Sequence, residues 1–328
     1  MKKPGKVALV AATATVALTL AACSGGGRVK ATDSADGSGA GDNSGYSIAM
    51  ITHETPGDTF WDKIKAGAQQ AAKNEGITLK YSNDPDAGKQ AVLIQNAVDS
   101  KVDGIATTLV TPGALAGSVK SAVAAKIPVV GFNAGIGEYK QLGALMYFGS
   151  DESLAGTTVG QRLATEGSKH TLCVIQSAGS VALEARCAGV KNGQPGTENI
   201  QVNGADDAAV VSTLQAKLSQ DKSIDSIVTL SAPIAIDALK AKDAAGSSAK
   251  VATFDLNAEA ATDIQSGKID FSVDQQPYVQ GFMSVSSLYL YLKNGNDIGG
   301  GKAVLTGPSI VDKTNIDQIV PYTKNNTR

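Results

Sequence analysis

From Tyr46 onward, short β-branched runs alternate with longer stretches of helical spacing, and no other feature of the 328 residues constrains the fold as much. The runs begin near Ser47 ("SIAMIT"), Thr78 ("TLKYS"), Gly104 ("GIATTL") and Pro128 ("PVVGF"), in steps of about 31, 26 and 24 residues. A second set begins near His170 ("HTLCVIQ"), Asn199 ("NIQVNG"), Ser226 ("SIVTL") and Lys250 ("KVATF"), in steps of about 29, 27 and 24. Each step holds one strand and one crossover helix, the unit from which parallel sheets are wound. The stretch "FWDKIKAGAQQAAKNEG" illustrates the helices: Ile64, Ala68, Ala71 and Ala72 follow helical spacing and Gly76 supplies the stop. The matching rhythm predicts an α/β protein of two similar doubly wound parallel-sheet lobes. Each lobe then carries its polar loops at the carboxyl ends of its strands.

Those ends supply His53, Asp58, Asn83, Asp84, Thr111 and Asn133 in the first half, and Ser177, Asp206, Ser231 and Asp255 in the second. If the lobes face each other across these edges, the polar groups line one cleft suited to a small, hydroxyl-rich molecule. The single tryptophan, Trp61, stands beside Phe60 in a chain with 5% aromatic residues. Both fall where the loop after the first strand becomes the first helix. An aromatic face there packs against the C–H face of a sugar or polyol; plain core packing is the alternative. For Asn133 and Asp255 the alternative is a local turn or cap, where both residue types are common.

The first 22 residues read as a secretory signal, with Lys2, Lys3 and Lys6 ahead of an apolar run, Val7–Leu20, that is short for a permanent span. The run ends in "LAACS", which resembles a bacterial lipobox and makes Cys23 the expected lipidated residue, with several acyl chains for stable anchoring. Residues 23–45, rich in Gly, Ser, Ala and Asp, are expected to form a flexible tether. With the three signal lysines removed from the 29 basic side chains, 31 acidic ones leave a net charge of about −5, without a basic stripe, so nucleic acid is not an expected partner. Catalytic signatures are missing as well: the two histidines are His53 and His170, and the chain has no HExxH, Walker-type or GxSxG motif and no Cys or His pairs at zinc spacing. No enzyme activity, cofactor or metal is expected. His170, which opens a strand, reads as structural, and His53, which ends one, as a candidate ligand contact.

The order and spacing of "SIAMIT", "VDGIATTLVTPGALAGSVKSAVAAKIPVVGFN", "FGSDESLAGTTVGQRLA" and "VATFDLNAEAATDIQSGKIDFSVDQQPYVQG" resemble the type I periplasmic binding proteins of bacterial ABC transporters, in particular their ribose-binding branch. The resemblance implies an N-terminal lobe of residues 46–150 plus 276–305, a C-terminal lobe of 151–275 plus 306–321, and a tail of 322–328. It places Asp58, Phe60 and Trp61 where the family has an Asn-x-Phe-Phe segment that bonds and stacks on sugar. Asn133 falls on a sugar-binding aspartate, followed here by Ala134 instead of arginine. Arg186 matches a sugar-binding arginine, Ser231 replaces an asparagine, Asp255 keeps a Phe-Asp pair and Gln275 matches a glutamine near the hinge; Glu184 lies beside this set. The replacements at Asp58, Asn133 and Ser231 argue against a ribose receptor.

The implied function is ligand-selected closure of a monomeric, membrane-anchored, extracytoplasmic receptor that delivers a monosaccharide or polyol to an ABC permease. A receptor feeding a signalling partner and an extracellular enzyme on the same scaffold are the alternatives. With Cys23 lipidated in an exported protein, Cys173 and Cys187 remain, in the first strand of the second lobe and the helix after it, and are expected to be disulfide-bonded.

Overall fold

A computed structural model describes residues 44–328. The signal segment 1–22, Cys23 and the tether up to residue 43 lie outside the described residues. Strands and helices alternate as follows: β1 (Ser47–Thr52), α1 (Phe60–Glu75), β2 (Thr78–Asn83), α2 (Ala87–Asp99), β3 (Gly104–Thr108), α3 (Pro112–Ala124), β4 (Val129–Asn133), α4 (Tyr139–Leu142), β5 (Met146–Ser150) and α5 (Glu152–Thr165). The series continues with β6 (Thr171–Ile175), α6 (Val181–Gly193), β7 (Thr197–Gln201), α7 (Asp207–Gln220), β8 (Ser226–Thr229), α8 (Ala232–Ala244), β9 (Lys250–Phe254), α9 (Ala258–Ser266) and β10 (Phe271–Asp274). It closes with α10 (Pro277–Asn294), β11 (Val304–Gly307), β12 (Ser309–Asp312) and α11 (Ile316–Lys324).

Two six-stranded sheets result, ordered β11-β5-β4-β3-β1-β2 and β12-β10-β9-β8-β6-β7. Every pairing is parallel except that of β10 with β12. The central strands are buried on both faces, so alternate residues feed separate cores. Ile48 and Met50 pack with α1 and α10, whereas Ala49 and Ile51 pack on the opposite side with residues of α2 and α3. In the second lobe Leu172 and Val174 face one core, and Cys173 and Ile175 face the other, against α5 and α6. The expected doubly wound lobes are therefore present, and the eight runs read from sequence correspond to β1–β4 and β6–β9. Reading the runs alone omits the fifth and sixth strand of each sheet.

The boundaries differ in detail from expectation. Ser44 is already tied to the fold, its backbone N and its Oγ both donating to the Gly76 carbonyl at 3.0 and 2.9 Å. The strand β11 stays in the first sheet to Gly307, two residues past the expected crossing. Residues 322–328 are not a free tail, because α11 runs to Lys324, Thr323 is buried, and Arg328 Nε donates to the Asp274 carboxylate.

Three crossings join the lobes: β5 into α5, β10 into α10, and β11 into β12. Two of them lead into helices that press closely on a second helix. A Cβ on Gly281 of α10 would lie 1.9 Å from the Ile64 carbonyl of α1, and one on Gly67 of α1 would lie 2.0 Å from the Tyr278 carbonyl. Likewise a Cβ on Gly156 of α5 would lie 2.0 Å from the Arg186 carbonyl of α6. Only glycine permits backbones to approach this far. On one rim the lobes meet through Val110, Ala134 and Ala182.

Candidate ligand-binding cleft

Strand β4 ends on Asn133 and its equivalent β9 is followed at once by Asp255, both buried and both in the left-handed backbone region, with φ of 65° and 64°. That conformation is tolerated by Asn and Asp better than by other side-chain-bearing residues, and it turns the chain sharply at the strand end. Gln275, in the second crossing, spans the two. Its Nε2 donates to Asp255 Oδ1 at 2.8 Å, and its Oε1 accepts from Asn133 Nδ2 at 3.3 Å. Gln280 of α10 completes the cluster, accepting from Asn133 at 3.2 Å and donating to Gln275 Oε1 at 3.0 Å and to Thr306 Oγ1 at 3.1 Å. One polar network thus connects both lobes and two crossings. Burial pushes the Asp255 carboxyl up to about 7, against the pull of Arg186 and of the Gln275 hydrogen bond.

Arg186 sits on α6 over the Phe254 ring, its guanidinium 4.6 Å from the ring centroid. Its Nε and Nη2 donate to the two oxygens of Glu152 at 2.6 and 3.2 Å, and Nη1 donates to the Leu230 carbonyl at 3.1 Å. Three of the five guanidinium N–H groups are thereby engaged. Glu152 opens α5 just beyond the first crossing, and both partners are buried, so the arginine is fixed in place by the hinge side of the lobe. The disulfide Cys173–Cys187 is formed, with Cα atoms 5.8 Å apart, and staples β6 to α6 one residue from Arg186. Ser231, buried, immediately precedes α8, and its carbonyl accepts from Thr253 Oγ1 at 3.1 Å.

In the first lobe, Phe60 and Trp61 open α1, as expected from sequence, and both are buried in the core shared by β1, α1 and α10. Trp61 meets Phe60 edge to face at 5.2 Å and His53 at 4.7 Å. Asp58, half-buried, accepts from the Phe60 backbone at 3.0 Å; burial raises its carboxyl above the usual range, and that hydrogen bond pulls it back. His53 is lowered to about 4, first by burial and then by the positive field of Arg186 from the other lobe. Glu184 does not join this set: it is exposed on α6, and no side-chain hydrogen bond or ion pair links it to the described cleft residues. Position on α6 decides the difference, since Arg186 lies on the buried side and Glu184 on the exposed one.

Lys63, which the sequence reading passes over, is only 2% exposed, and its Nζ donates to the Thr59 carbonyl at 3.3 Å. Burial lowers its pKa, and the fields of Asp255 and Asp58 offset part of that. Glu152 and Gln280 likewise carry no mark in the sequence that sets them apart from solvated neighbours. Lys63 and Arg186 thus bring donors, and Asp58, Asn133 and Asp255 acceptors, to one region, where the fields of Asp255 and Asp58 reach Lys63 and that of Asp255 reaches Arg186. Away from it, His170, Glu198 and Asp221 place ligand atoms within 4.8 Å of one another, but the Lys217 ammonium already lies 2.7 Å from Glu198 Oε1 and 3.5 Å from Asp221 Oδ2.

The sequence profile described as "Periplasmic binding protein domain" matches residues 48–297. The xylose/arabinose-binding protein XylF of Sulfolobus acidocaldarius is 25% identical over 275 residues, spanning 75% of this chain and 66% of that protein. Among solved structures, a carbohydrate transporter from Acidothermus cellulolyticus 11B in complex with myo-inositol is 54% identical with a TM-score of 0.84, over 86% of this chain and 99% of the other. An ABC transporter solute binding protein from Agrobacterium vitis, bound with alpha-D-tagatopyranose, is 25% identical with a TM-score of 0.74, over 85% and 98% of the two chains.

Proposed function

The chain belongs to the periplasmic binding protein domain family, and from that premise we propose that it is the lipid-anchored, extracytoplasmic solute-binding component of an ABC importer. Its ligand is a monosaccharide or cyclic polyol, with myo-inositol the first candidate, as in the 54% identical Acidothermus protein. The observation that carries this reading is the pairing of Asn133 and Asp255 through Gln275: equivalent strand ends of two lobes deliver hydroxyl-binding groups to one hinge residue. A ligand bridging both lobes is bound fully only when they are closed, so binding selects closure, and the permease receives a closed receptor. His53, Asp58, Phe60, Trp61, Ser231 and the two spare N–H groups of Arg186 complete the contact set. Cys23 carries the anchor, and the receptor acts as a monomer that binds its ligand without turning it over.

The test is calorimetry with myo-inositol, D-arabinose and D-tagatose, followed by chromatography of the recovered ligand. Saturable one-to-one binding with ligand returned unchanged is expected; turnover, or no binding to any polyol or sugar, defeats the reading. In cells, Cys23→Ala should release the protein from the membrane fraction.

A further inference from the structure

His53 follows β1, and its Nδ1 lies 2.9 Å from Thr108 Oγ1 at the end of the adjacent β3. That hydroxyl is fully buried and also meets Nε2 of Gln90, a fully buried residue of α2, at 3.0 Å. The orientation of the Gln90 amide is settled by a third group. The same Nε2 lies 2.9 Å from the Thr108 carbonyl, which can only accept, so the NH2 end must face it. Gln90 Oε1 is left without a partner. The flipped amide would instead set Oε1 against a carbonyl, which is worse.

An NH2 group only donates, and its two protons serve the two nearer oxygens, the Thr108 carbonyl and Oγ1, with Thr107 Oγ1 farther off at 3.4 Å; Thr108 Oγ1 therefore accepts from Gln90 and must place its own proton elsewhere. His53 Nδ1 is the one acceptor within reach. Were Nδ1 protonated, two donors would converge on one hydroxyl, and the hydroxyl proton would be stranded in a dry site. Nδ1 therefore accepts, and the ring proton resides on Nε2. The ring plane is held by the edge-to-face contact with Trp61, at 4.7 Å and 78°. Nε2 itself makes no hydrogen bond to the described residues.

We infer that Gln90 and Thr108 lock His53 as a fixed Nε2–H donor to a hydroxyl or ether oxygen of the ligand, which makes Gln90 a positioning residue for specificity two bonds removed from the cleft. The donor role rests on the sugar or polyol reading above; the tautomer does not. Burial and the field of Arg186 hold the ring neutral, consistent with a permanent single donor. A ligand carrying only donors at that point, such as a protonated amine, is rejected, so neutral polyols are selected over their amino analogues.

The experiment is nitrogen-15 NMR of the histidine rings in the full-length protein at pH 7. His53 and His170 are the only two in the chain, and His170→Gln leaves one signal set. The expected spectrum shows an unprotonated Nδ1 and a protonated Nε2. Gln90→Met, which keeps volume but removes the donor, should let the Nδ1–H tautomer appear and weaken myo-inositol binding by about three- to tenfold. Thr108→Val, nearly isosteric, should do the same from the other partner. A wild-type ring protonated at Nδ1, or either variant with tautomer and affinity unchanged, overturns the inference. If the wild type shows the Nε2–H tautomer but binds no polyol or sugar, the donor role falls with the ligand reading and the Gln90–Thr108 assignment of the tautomer stands.

Discussion

At the scale of single residues, Asp255 and His53 set opposing pH responses. Asp255 holds its proton to about 7 in the folded state, far above an unfolded aspartate, so the native chain binds more protons and stability falls as pH rises from about 4 toward 7. His53 is lowered to about 4, so there the unfolded chain binds more protons, and stability rises from about 4 to 6.5. The two slopes partly cancel. Urea unfolding of Asp255→Asn should show stability rising more steeply with pH across that window, and the unliganded variant should melt a few degrees higher at neutral pH. The same variant should lose at least about tenfold in ligand affinity, the worth of one charge-assisted hydrogen bond. Calorimetry on a variant that binds like its parent would remove Asp255 from the contact set. Asn133 and Asp255 were readable from sequence because a strand end followed by a turn residue is a local pattern. Lys63 and Gln90 were not: in "DKIK" and "GKQA" each stands among charged or polar neighbours and looks solvated, and only the packing of other elements over them buries them.

At the scale of elements, one covalent device fixes a helix on its strand and one steric device fixes helices on each other. The Cys173–Cys187 bond closes a loop of 14 residues and should contribute about 3 kcal/mol in the chain-entropy model. Replacing both cysteines by serine is expected to lower the melting temperature and, because Arg186 is next in the chain, the affinity as well. Thiol titration of the exported protein under denaturing, non-reducing conditions should find neither cysteine free. Gly281→Ala is expected to destabilise by about 1–3 kcal/mol, since the added methyl collides with the Ile64 carbonyl. Gly117→Ala, inside α3 with nothing within 4 Å, should stabilise by about 0.5–1 kcal/mol. Denaturant midpoints moving in the same direction for both would contradict the packing described. The strand and helix runs were legible because period two and period 3.6 are local; the close helix pairs were not, because one glycine in "KAGAQ" gives no sign of the backbone it must admit.

At the scale of the whole molecule, the doubled rhythm identified two like lobes, whereas the sixth strands, which lie after α10 and exchange between sheets at residues 307–309, follow no local repeat. Trp61 reports on the lobes together. It is 4% exposed with the lobes in contact, so saturating ligand should shift its emission toward the blue relative to the ligand-free protein, and scattering should show a smaller radius of gyration. An unchanged spectrum with a contracting radius would take Trp61 out of the proposed contact set. The glycine seams add a mechanical consequence. In each lobe the helix that emerges from a crossing is keyed, carbonyl against glycine, to the helix whose first turns carry proposed contact residues: α10 to α1, and α5 to α6. Such a pair has no slack, so it behaves as the arm of a lever whose fulcrum is the crossing. On the proposed reading, torque applied by ligand at the cleft wall should arrive at the pivot without bending the arm, and a receptor built this way should answer with one angle of closure instead of a range.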